Sequence, residues 1–477
     1  MKSGNTFTNK VALVTGATSG IGRATAIVNN SSVAGLIGFP GAALYVAAVI
    51  LFTLGDVSPV AAQSPTATLK GVGPSADLAA PQPSQSATKF AEVIGWPDNL
   101  TPKAPEGFRV EAFARDLDSP RWLYVLPNGD VLVSQARSHP SSGADPKKRK
   151  GLTGAGSIGV SANRITLLRY ADKDGRRVET RDAFLTNLNQ PLGVVLIDDT
   201  LYVANTDGLM RFPYKRGQTK IEDPGTLVLE LPAGGYNNHW TRNIVVNANR
   251  SKLYISVGSA SNAGEYGMDK EVRRANILEI NPDGSGERIF AAGIRNPVGM
   301  DWQPDTSRLW TVVNERDDLG DDLVPDYMTA VREAAFYGWP YAYYGQNIDP
   351  RHKGEREDLV ARSIKPDYAL GSHTASLGLS FYTGSSFPVR YRGGAFIGQH
   401  GSWNRSEFSG YRVVFVPFQN GQPQGQPEDF LTGFMADPCT GRTYGRPVGI
   451  AQLPDGSLLV ADDAGGVVWR VSRAAGR

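Results

Sequence analysis

Three loop segments in the middle of the chain hold the side chains best suited to chemistry. His239, in the run GYNNHWTRN, offers an imidazole that can accept a proton near neutral pH. Arg295 and Asn296, in GIRNPVGMDW, offer a guanidinium that can clamp an anion and an amide beside it. The run NERDDLGDD at 314–322 is the densest carboxylate cluster in the chain, and hard cations prefer such oxygen ligands. A proton acceptor, an anion clamp and a cation site together indicate a cofactor-binding oxidoreductase.

Each of these segments adjoins an apolar, strand-like run, and the same local pattern occurs six times after Phe108. A polar or Pro-containing corner leads into an apolar strand, then into a Gly, Asp or Asn turn, and then into a second strand. Further strand candidates, such as RITLLRYAD, NILEINPDG, YRVVFVPFQNG and GVVWRVSR, would complete four-stranded units. The six runs begin at Ser119, Gln190, His239, Arg295, Leu377 and Gly445.

This repetition predicts an all-β fold, namely a six-bladed β-propeller of four-stranded blades preceded by an N-terminal segment that is not a domain. Unrelated hairpins of a β-sandwich are the alternative, which six recurrences of one pattern disfavour. In a propeller, the corner that enters the innermost strand of each blade lies near the central channel. The corner residues expected to converge are Arg121, Gln190, His239, Arg295 and Arg446.

Composition fits this architecture and excludes several classes of protein. The 477 residues include 54 Gly and 31 Pro, which suits many short strands joined by tight turns. The formal net charge is only +2, so nucleic acid is not expected as a partner, and the run PKKRK at 146–150 is interpreted as a solvated insertion. The lone Cys439 excludes an internal disulfide framework and a cysteine-based zinc or iron-sulfur site.

The N-terminal residues follow a different pattern. The run KVALVTGATSGIGRATAI at 10–27 joins a strand to a Gly-rich turn and a helix start, and it resembles the short-chain dehydrogenase/reductase family. The sheet that should follow is missing, and Val49 stands where that family has a lysine. Residues 1–48 are therefore interpreted as a truncated remnant of such a dehydrogenase, and an NAD-dependent reductase is the weakest of the functions considered.

Residues 33–62 indicate export. They contain an uncharged apolar run followed by VSPVAAQS, which looks like a signal-peptidase site after Ala62. Residues 63–105 are rich in Pro, Ser and Ala, as in a solvated linker, which leaves residues 106–477 for the propeller. We therefore expect a periplasmic or secreted protein, either released or held by an N-terminal membrane anchor.

Four motifs in the C-terminal three quarters carry a family resemblance: GIRNP, YGWP, HGSWNR and GRPVGI, in this order. Through them the chain from Pro105 to Arg477 resembles the soluble glucose and sorbosone dehydrogenases, and the sorbosone branch most. Members of that family are six-bladed propellers that bind pyrroloquinoline quinone (PQQ) with Ca²⁺ and oxidise sugars or aldoses.

The resemblance implies roles for individual residues. By position, His239 corresponds to the general base of the family. Arg295 and Asn296 correspond to the residues that clamp the quinone, and Arg446 corresponds to a further arginine that contacts the cofactor. The family's Ca²⁺ loop falls on the acidic run. The candidate metal ligands are Glu315, Asp317, Asp318, Asp321 and Asp322.

Two further assignments are less direct. The glucose enzymes have a cofactor-binding lysine near the HGSWNR motif, where this chain offers Arg405, and their glutamine maps loosely to Gln190. A flat tricarboxylic quinone also requires an aromatic or apolar wall, which Trp403 would supply. The candidate cofactor-binding residues are thus Gln190, Arg295, Asn296, Trp403, Arg405 and Arg446.

We therefore expect a quinoprotein oxidoreductase that transfers a hydride from a sugar, an aldose or a sorbosone-like aldehyde to PQQ, with Ca²⁺ as a second cofactor. Electrons would pass on to an external acceptor such as a cytochrome, a quinone or a dye. The alternative is a catalytically silent propeller that binds a carbohydrate or a protein through its loops, because the family's lysine is missing. The identity of the substrate depends on long loops whose conformation the sequence does not determine.

Overall fold

The computed structural model describes residues 71–139, 146–170 and 177–474, which belong to one compact unit. The predicted dehydrogenase remnant, residues 1–48, and the predicted export segment, residues 33–62, lie outside the described residues.

Regular structure in the described residues is almost entirely β-strand. The α-helices there are Pro146–Gly154 and Glu357–Arg362. The 3₁₀-helices are Pro83–Gln85, Met268–Glu271, Pro350–His352 and Val389–Tyr391. No helix in this part of the chain has the length and apolar character that crossing a membrane requires.

Six antiparallel sheets of four or five strands follow one another along this part of the chain, and we call them blades 1 to 6. Blade 1 contains Pro120–Val125, Val131–Gln135, Arg164–Tyr170 and Val178–Leu185. Blade 2 contains Val194–Ile197, Thr200–Ala204, Gly208–Pro213 and Thr226–Glu230. Blade 3 contains Ile244–Val246, Leu253–Val257, Asn276–Ile280 and Arg288–Ala292. In each blade the strands pair in the order in which the chain forms them.

Blades 4 and 5 repeat this arrangement. Blade 4 contains Pro297–Trp302, Leu309–Val313, Pro325–Ala330 and Tyr368–Ser372, with the short strand Val72–Gly73 added at its outer edge. Blade 5 contains Ser376–Phe381, Ala395–Gln399, Arg412–Val416 and Glu428–Leu431.

Blade 6 closes the fold with a strand from the other end of the unit. Its first three strands are Pro447–Gln452, Leu458–Asp462 and Val467–Arg473. Its fourth strand is Phe108–Ala114, which pairs antiparallel with the third. Main-chain hydrogen bonds therefore hold the two ends of the propeller together.

Short strands form three smaller sheets. Glu92–Val93 pairs with Arg442–Thr443, which also pairs with Met435–Asp437. The two remaining small sheets pair Ala342–Tyr343 with Asn347–Ile348 and Phe418–Gln419 with Gln422–Pro423.

The prediction of an all-β propeller of four-stranded blades is confirmed, and each of the six sequence repeats falls on the first two strands of one blade. The candidates RITLLRYAD, NILEINPDG, YRVVFVPFQNG and GVVWRVSR form the third strands of blades 1, 3, 5 and 6.

The hydrophobic core lies between the blades. Six clusters of buried side chains each combine residues of two neighbouring blades, and the last cluster joins blade 6 to blade 1. There Leu123 and Val133 pack with Leu459 and Val468. Because both faces of a blade are covered, an inner strand such as Leu253–Val257 is buried throughout rather than at alternate residues. Burial of one such Leu, Ile or Val side chain contributes about 1.5–3 kcal/mol.

The first strands of the blades approach one another closely at the centre. A Cβ on Gly449 of blade 6 would lie 2.6 Å from the carbonyl oxygen of Arg121 in blade 1, so this contact requires a glycine. A seventh buried cluster fills the same region and contains Trp122, Leu192, Val298, Leu377 and Val448. The corners that enter these strands are thereby brought to one axis, as the repeat pattern predicts.

The structure of residues 71–105 differs from the solvated linker that their composition indicates. Ala91 is buried, and the indole Nε1 of Trp96 donates to Oδ2 of Asp462 at 2.6 Å. The strand Glu92–Val93 pairs in parallel with Arg442–Thr443. A Pro- and Ser-rich composition is compatible with an extended segment bound to a surface, so the folded unit begins before residue 106.

Candidate functional site

A cavity of about 150 Å³ lies where the entry corners of the blades meet. Blades 1, 3, 4, 5 and 6 all contribute to its wall. Among the residues that line it are five of the predicted site residues: His239, Asn296, Asp317, Trp403 and Arg446.

His239 lies just before the first strand of blade 3, and its side chain is buried. Its Nδ1 lies 2.9 Å from the carbonyl oxygen of Ser259 and 2.9 Å from the hydroxyl oxygen of the same residue. A carbonyl oxygen can only accept, so Nδ1 carries the proton and donates it. The lone pair is therefore on Nε2, which accepts from Nδ2 of Asn238 at 3.2 Å. The cavity thus contains an imidazole whose Nε2 can accept a proton.

The surroundings keep this imidazole neutral. Burial penalises the charged form and lowers the pKa of His239 well below its usual value, and the positive charge of Arg295 lowers it further. The imidazole is therefore unprotonated at neutral pH and available as a proton acceptor.

Arg295 supports the cavity without lining it. Its fully buried guanidinium donates through Nε to the carbonyl oxygen of Asn262 at 3.0 Å and through Nη2 to Oδ1 of the same residue at 2.8 Å. Nη1 donates to the carbonyl oxygens of Asn314 at 3.0 Å and Glu315 at 2.7 Å. Asp317 lies 3.5 Å from Nη2. Arg295 therefore holds two loop segments in place, one at Asn262 and one at 314–317, and its side chain is not among those that line the cavity.

Asn296 does line the cavity. Its Oδ1 is buried and has no hydrogen-bond partner among the described residues. A Cβ on Gly258 would lie 2.6 Å from this oxygen and 2.6 Å from the Cβ of His239, so the close approach of the two side chains requires a glycine there. A buried polar atom without a partner at the edge of a cavity is suited to contact a ligand.

A buried carboxylate fixes two further residues at the cavity wall. Nη1 of Arg121 donates to Oδ2 of Asp463 at 2.7 Å, and Nε2 of His400 lies 2.9 Å from Oδ1. Burial would raise the pKa of Asp463, but the contact with His400 and the charge of Arg121 lower it to about 2. Burial and the charge of Arg446 lower the pKa of His400 to about 4. At neutral pH the carboxylate is therefore ionised and the imidazole is neutral.

Arg446 brings a positive charge to the cavity. Its Nε donates to the carbonyl oxygen of His400 at 2.9 Å, and its Nη2 to that of Gly401 at 2.7 Å. Its Nη1 donates to the hydroxyl of Ser157 at 2.7 Å. Because these acceptors are neutral oxygens, the hydrogen bonds orient the guanidinium without cancelling its charge.

Trp403 forms an aromatic wall of the cavity. Its ring stacks on that of Phe90, with ring centroids 5.9 Å apart and planes at 5°. Nζ of Lys148 lies 4.0 Å from the centroid of the Trp403 ring, within the range of a cation–π contact. Phe90 and Lys148 come from the two segments whose composition indicates a solvated linker and a solvated insertion.

Two predicted cofactor-binding residues lie elsewhere. Gln190 lines a neighbouring cavity of about 220 Å³, and its Nε2 donates to the carbonyl oxygen of Arg137 at 2.8 Å. Arg405 donates through Nη1 to the carbonyl oxygen of Asp321 at 2.5 Å and through Nη2 to Oδ1 of Asp322 at 3.1 Å. Neither side chain is among those that line the cavity of His239.

The acidic run does not gather into one metal site. Across the part of the chain that the structure describes, no group of three or more His, Cys, Asp or Glu side chains is arranged to hold a metal ion. Asp317 is the one predicted ligand that lines the cavity. Asp318 accepts from Nδ2 of Asn404 at 3.1 Å, and Asp321 accepts from the main-chain N–H of Ser406 at 3.1 Å. The predicted ligands are thus held by different parts of blades 4 and 5.

Glu315 is buried and Asp317 is half-buried, and the two carboxyl groups differ in charge. Burial raises the pKa of Glu315 to about 7. Burial acts in the same direction on Asp317, but the hydrogen bond from His373 and the charge of Arg295 outweigh it and lower the pKa of Asp317. Asp317 therefore brings a negative charge to the cavity.

Three residues of the cavity wall are not among the predicted catalytic, cofactor-binding or metal-binding residues: Arg121, Lys148 and His400. Arg121 occupies a blade-entry corner like that of Arg446, and this position predicts its convergence with the other corners. His400 belongs to the HGSWNR motif. Its contact with Asp463 joins blades 5 and 6, and the motif alone does not indicate it. No local pattern indicates that Lys148 lies beside Trp403, because this contact depends on how the chain between two strands of blade 1 folds back.

The cavity combines groups that can hold a planar anion with a group that can accept a proton. Arg121, Lys148 and Arg446 supply positive charge, Trp403 supplies a flat face, and His239 supplies the base. These donors fit a flat tricarboxylic quinone, because guanidinium and ammonium groups bind carboxylates and an aromatic face stacks on a ring system.

The chain is similar to known sugar dehydrogenases. A family model described as Glucose / Sorbosone dehydrogenase matches residues 198–402. A pyrroloquinoline quinone-dependent pyranose dehydrogenase of Coprinopsis cinerea is 24% identical over 440 residues, which cover 78% of this chain and 54% of that protein. An uncharacterized protein of Borreliella burgdorferi is 29% identical over 382 residues, which cover 78% of this chain and 90% of that protein.

The fold is also found in solved structures. A calcium structure of a Trichoderma reesei protein of Carbohydrate-Active Enzymes Family AA12 matches with a TM-score of 0.64 at 19% identity, covering 81% of this chain and 100% of that one. The propeller fold is thus shared with solved structures, and residues 198–402 of this chain match the glucose/sorbosone dehydrogenase family model.

Proposed function

We propose that this protein is a PQQ-dependent dehydrogenase that oxidises a sugar, an aldose or a sorbosone-like aldehyde. The observation that carries the proposal is the neutral, buried His239 in a cavity whose wall contains Trp403 and three cations. The similarity to a pyrroloquinoline quinone-dependent pyranose dehydrogenase supports the choice of cofactor and of a sugar as substrate.

Arg121, Lys148 and Arg446 would hold the carboxylates of PQQ, and Trp403 would lie against its ring system. Oδ1 of Asn296, which is buried without a partner among the described residues, marks a polar position that a bound cofactor or substrate can satisfy. When bound, the quinone supplies the hydride acceptor.

His239 would remove the hydroxyl proton of the substrate as the hydride leaves. Its Nδ1–H is held by Ser259, so Nε2 presents the lone pair that takes the proton. Nδ2 of Asn238 donates to this lone pair at 3.2 Å, so the hydroxyl group of a bound substrate would take the place of that contact. The protein therefore contributes placement and proton transfer.

We propose Ca²⁺ as a second cofactor, supported by the calcium structure of the Trichoderma reesei protein. The five carboxylates taken together do not fit a single calcium site, because only Asp317 reaches the cavity. We assign no chemical step to the cation.

We also propose that the chain acts in the periplasm or outside the cell and passes its electrons to an external acceptor such as a cytochrome, a quinone or a dye. The apolar run and the signal-peptidase-like VSPVAAQS support export.

The proposal is tested by reconstituting the protein with PQQ and Ca²⁺ and following the reduction of a dye in the presence of aldoses and of sorbosone. We expect dye reduction that depends on both PQQ and the sugar. The same assay with NAD in place of PQQ is the control, and activity there would contradict the proposal. Sugar binding without PQQ-dependent turnover would instead identify a silent carbohydrate-binding propeller.

A further inference from the structure

The loop that follows the second strand of blade 3 holds the segment of His239 at two points. The turn at 259–261, which opens this loop, is buried. The main-chain N–H of Asn238 donates to the carbonyl oxygen of Ala260 at 3.0 Å. Nδ1 of His239 lies 2.9 Å from both the carbonyl oxygen and the hydroxyl oxygen of Ser259. The turn therefore fixes both the main chain beside the imidazole and the imidazole itself.

The hydroxyl group of Ser259 has a defined direction. It donates its single proton to the carbonyl oxygen of Ser261 at 2.6 Å, so its oxygen can only accept from His239. Both oxygens of Ser259 that face the ring are thus acceptors for Nδ1–H. An imidazole protonated only on Nε2 would place the lone pair of Nδ1 against these two oxygens. The conformation of the turn therefore sets the tautomer of His239.

Glu271, the last residue of the 3₁₀-helix Met268–Glu271, holds this turn in place. Glu271 is buried, and its Oε2 accepts from the main-chain N–H of Ala260 at 2.7 Å. Its Oε1 accepts from the main-chain N–H of Ser261 at 3.0 Å and from the hydroxyl group of the same residue. Three donors of the turn thus converge on one carboxyl group, which is not among the groups that line the cavity of His239.

We propose that Glu271 is a positioning residue for the catalytic base. It fixes the turn at 259–261, and through Ser259 this turn keeps His239 in the tautomer whose lone pair is on Nε2. The inference rests on the proposed function in taking His239 as the base. Loss of the Glu271 contacts impairs proton transfer and leaves cofactor binding intact.

The test compares Glu271→Gln with Asp301→Asn. Glutamine keeps the size of the side chain, but its amide group places a donor opposite the donors of the turn. Asp301 is the matched control, because it also accepts from two main-chain N–H groups, those of Trp302 and Phe381, at 2.8 Å each. It does not line the cavity.

The first readout does not require the cofactor. Nitrogen NMR of the full chain with isotopically labelled histidine shows which ring nitrogen of His239 carries the proton, and His239→Gln identifies its signals. The second readout is kcat of PQQ-dependent dye reduction, measured together with the dissociation constant for PQQ.

We expect only Nδ1 of His239 to be protonated in the wild-type protein and a mixture of the two tautomers in Glu271→Gln. The same variant should lower kcat by ~10- to 100-fold, the usual cost of misplacing a catalytic group, and leave the dissociation constant for PQQ unchanged. Asp301→Asn should leave the tautomer, kcat and the dissociation constant unchanged.

An unchanged tautomer in Glu271→Gln would overturn the proposal whatever its turnover, and so would equal losses of kcat in Asp301→Asn. If Glu271→Gln does not fold, Ser261→Ala decides. It removes one of the three donors to Glu271 and should shift the His239 signals in the same direction by a smaller amount, and unshifted signals there would overturn the proposal.

The two readouts separate this inference from the proposed function. A mixed tautomer in Glu271→Gln, together with a wild-type protein that shows no PQQ-dependent turnover, would support the role of Glu271 and contradict the proposed function. PQQ-dependent turnover that Glu271→Gln retains in full would leave the proposed function standing and overturn the inference alone.

Discussion

At the scale of single residues, the proposed chemistry depends on how one imidazole is held. The carbonyl oxygen of Ser259 accepts a hydrogen bond from Nδ1–H of His239, so the lone pair of the ring is on Nε2. Burial and Arg295 keep the ring neutral. Arg295 thus acts on the base through its charge and on the loops through its hydrogen bonds, although its position in the motif GIRNP indicates a cofactor contact.

This environment predicts the pH dependence of turnover. A histidine with its ordinary pKa of about 6.5 would gain a proton, and lose its function as a base, as the pH falls through that value. Because the pKa of His239 is lowered, protonation requires more acid. We expect kcat of the PQQ-loaded protein to fall only well below pH 6.5, measured by steady-state dye reduction. An acid limb centred at or above pH 6.5 would mean that the base is another group or that His239 is solvated.

At the scale of the elements, the innermost strands approach so closely that glycine recurs in them. We predict that Gly449→Ala destabilises the protein by about 1–3 kcal/mol, the usual cost of overpacking. The added Cβ would lie 2.6 Å from the carbonyl oxygen of Arg121, which belongs to the main chain of blade 1. Urea unfolding measures the change.

Gly234→Ala is the control for this substitution. Gly234 is exposed, and a Cβ there would have no atom within 4 Å. Equal stabilities of the two variants would show that the blades can shift to accept the extra methyl group.

The blade strands could be predicted from the sequence because their signals are local. A corner, an apolar run and a turn lie within about twenty residues, and this spacing recurs once per blade. His239 and Arg446 occupy such corners, and both line the cavity. Corner position alone does not distinguish these two residues from Gln190. Residues at equivalent corners can direct their side chains into different cavities.

The rest of the site depends on contacts between distant segments. The carboxylates of Asp318 and Asp321 are bound by Asn404 and Ser406, more than eighty residues away. Carboxylates that are close together in the sequence at 314–322 therefore do not come together at one metal site. In the same way, the composition of PKKRK does not reveal which of its faces docks on Trp403.

At the scale of the whole molecule, stability comes from a closed ring of blade contacts. The buried residues of the inter-blade clusters begin at Ala91, with Ala76 and Leu78 packed against the cluster between blades 3 and 4. The strand Phe108–Ala114 completes blade 6. Residues 71–105 are part of this unit through Trp96 and the strand Glu92–Val93.

Two truncations test this boundary. Removal of residues 1–62 should leave the thermal unfolding midpoint unchanged, because the six blades and the segment that packs on them are built from residues 71–474. Removal of residues 1–100 should lower the midpoint clearly, because the packing of Ala91, the bond from Trp96 to Asp462 and the pairing of Glu92–Val93 are all lost. Differential scanning calorimetry distinguishes the two cases, and equal midpoints would mean that residues 71–100 contribute nothing to stability.

The most direct test of the proposed function is the turnover of His239→Gln at saturating PQQ, measured together with its PQQ dissociation constant. Glutamine keeps a polar side chain of similar length, and the exposed His139→Gln serves as the matched control. We predict that kcat of His239→Gln falls by ~10²- to 10⁴-fold, the usual contribution of a positioned base, while PQQ binding changes little. Near-normal turnover of His239→Gln would contradict His239 as the catalytic base and with it the assignment of this cavity as the active site.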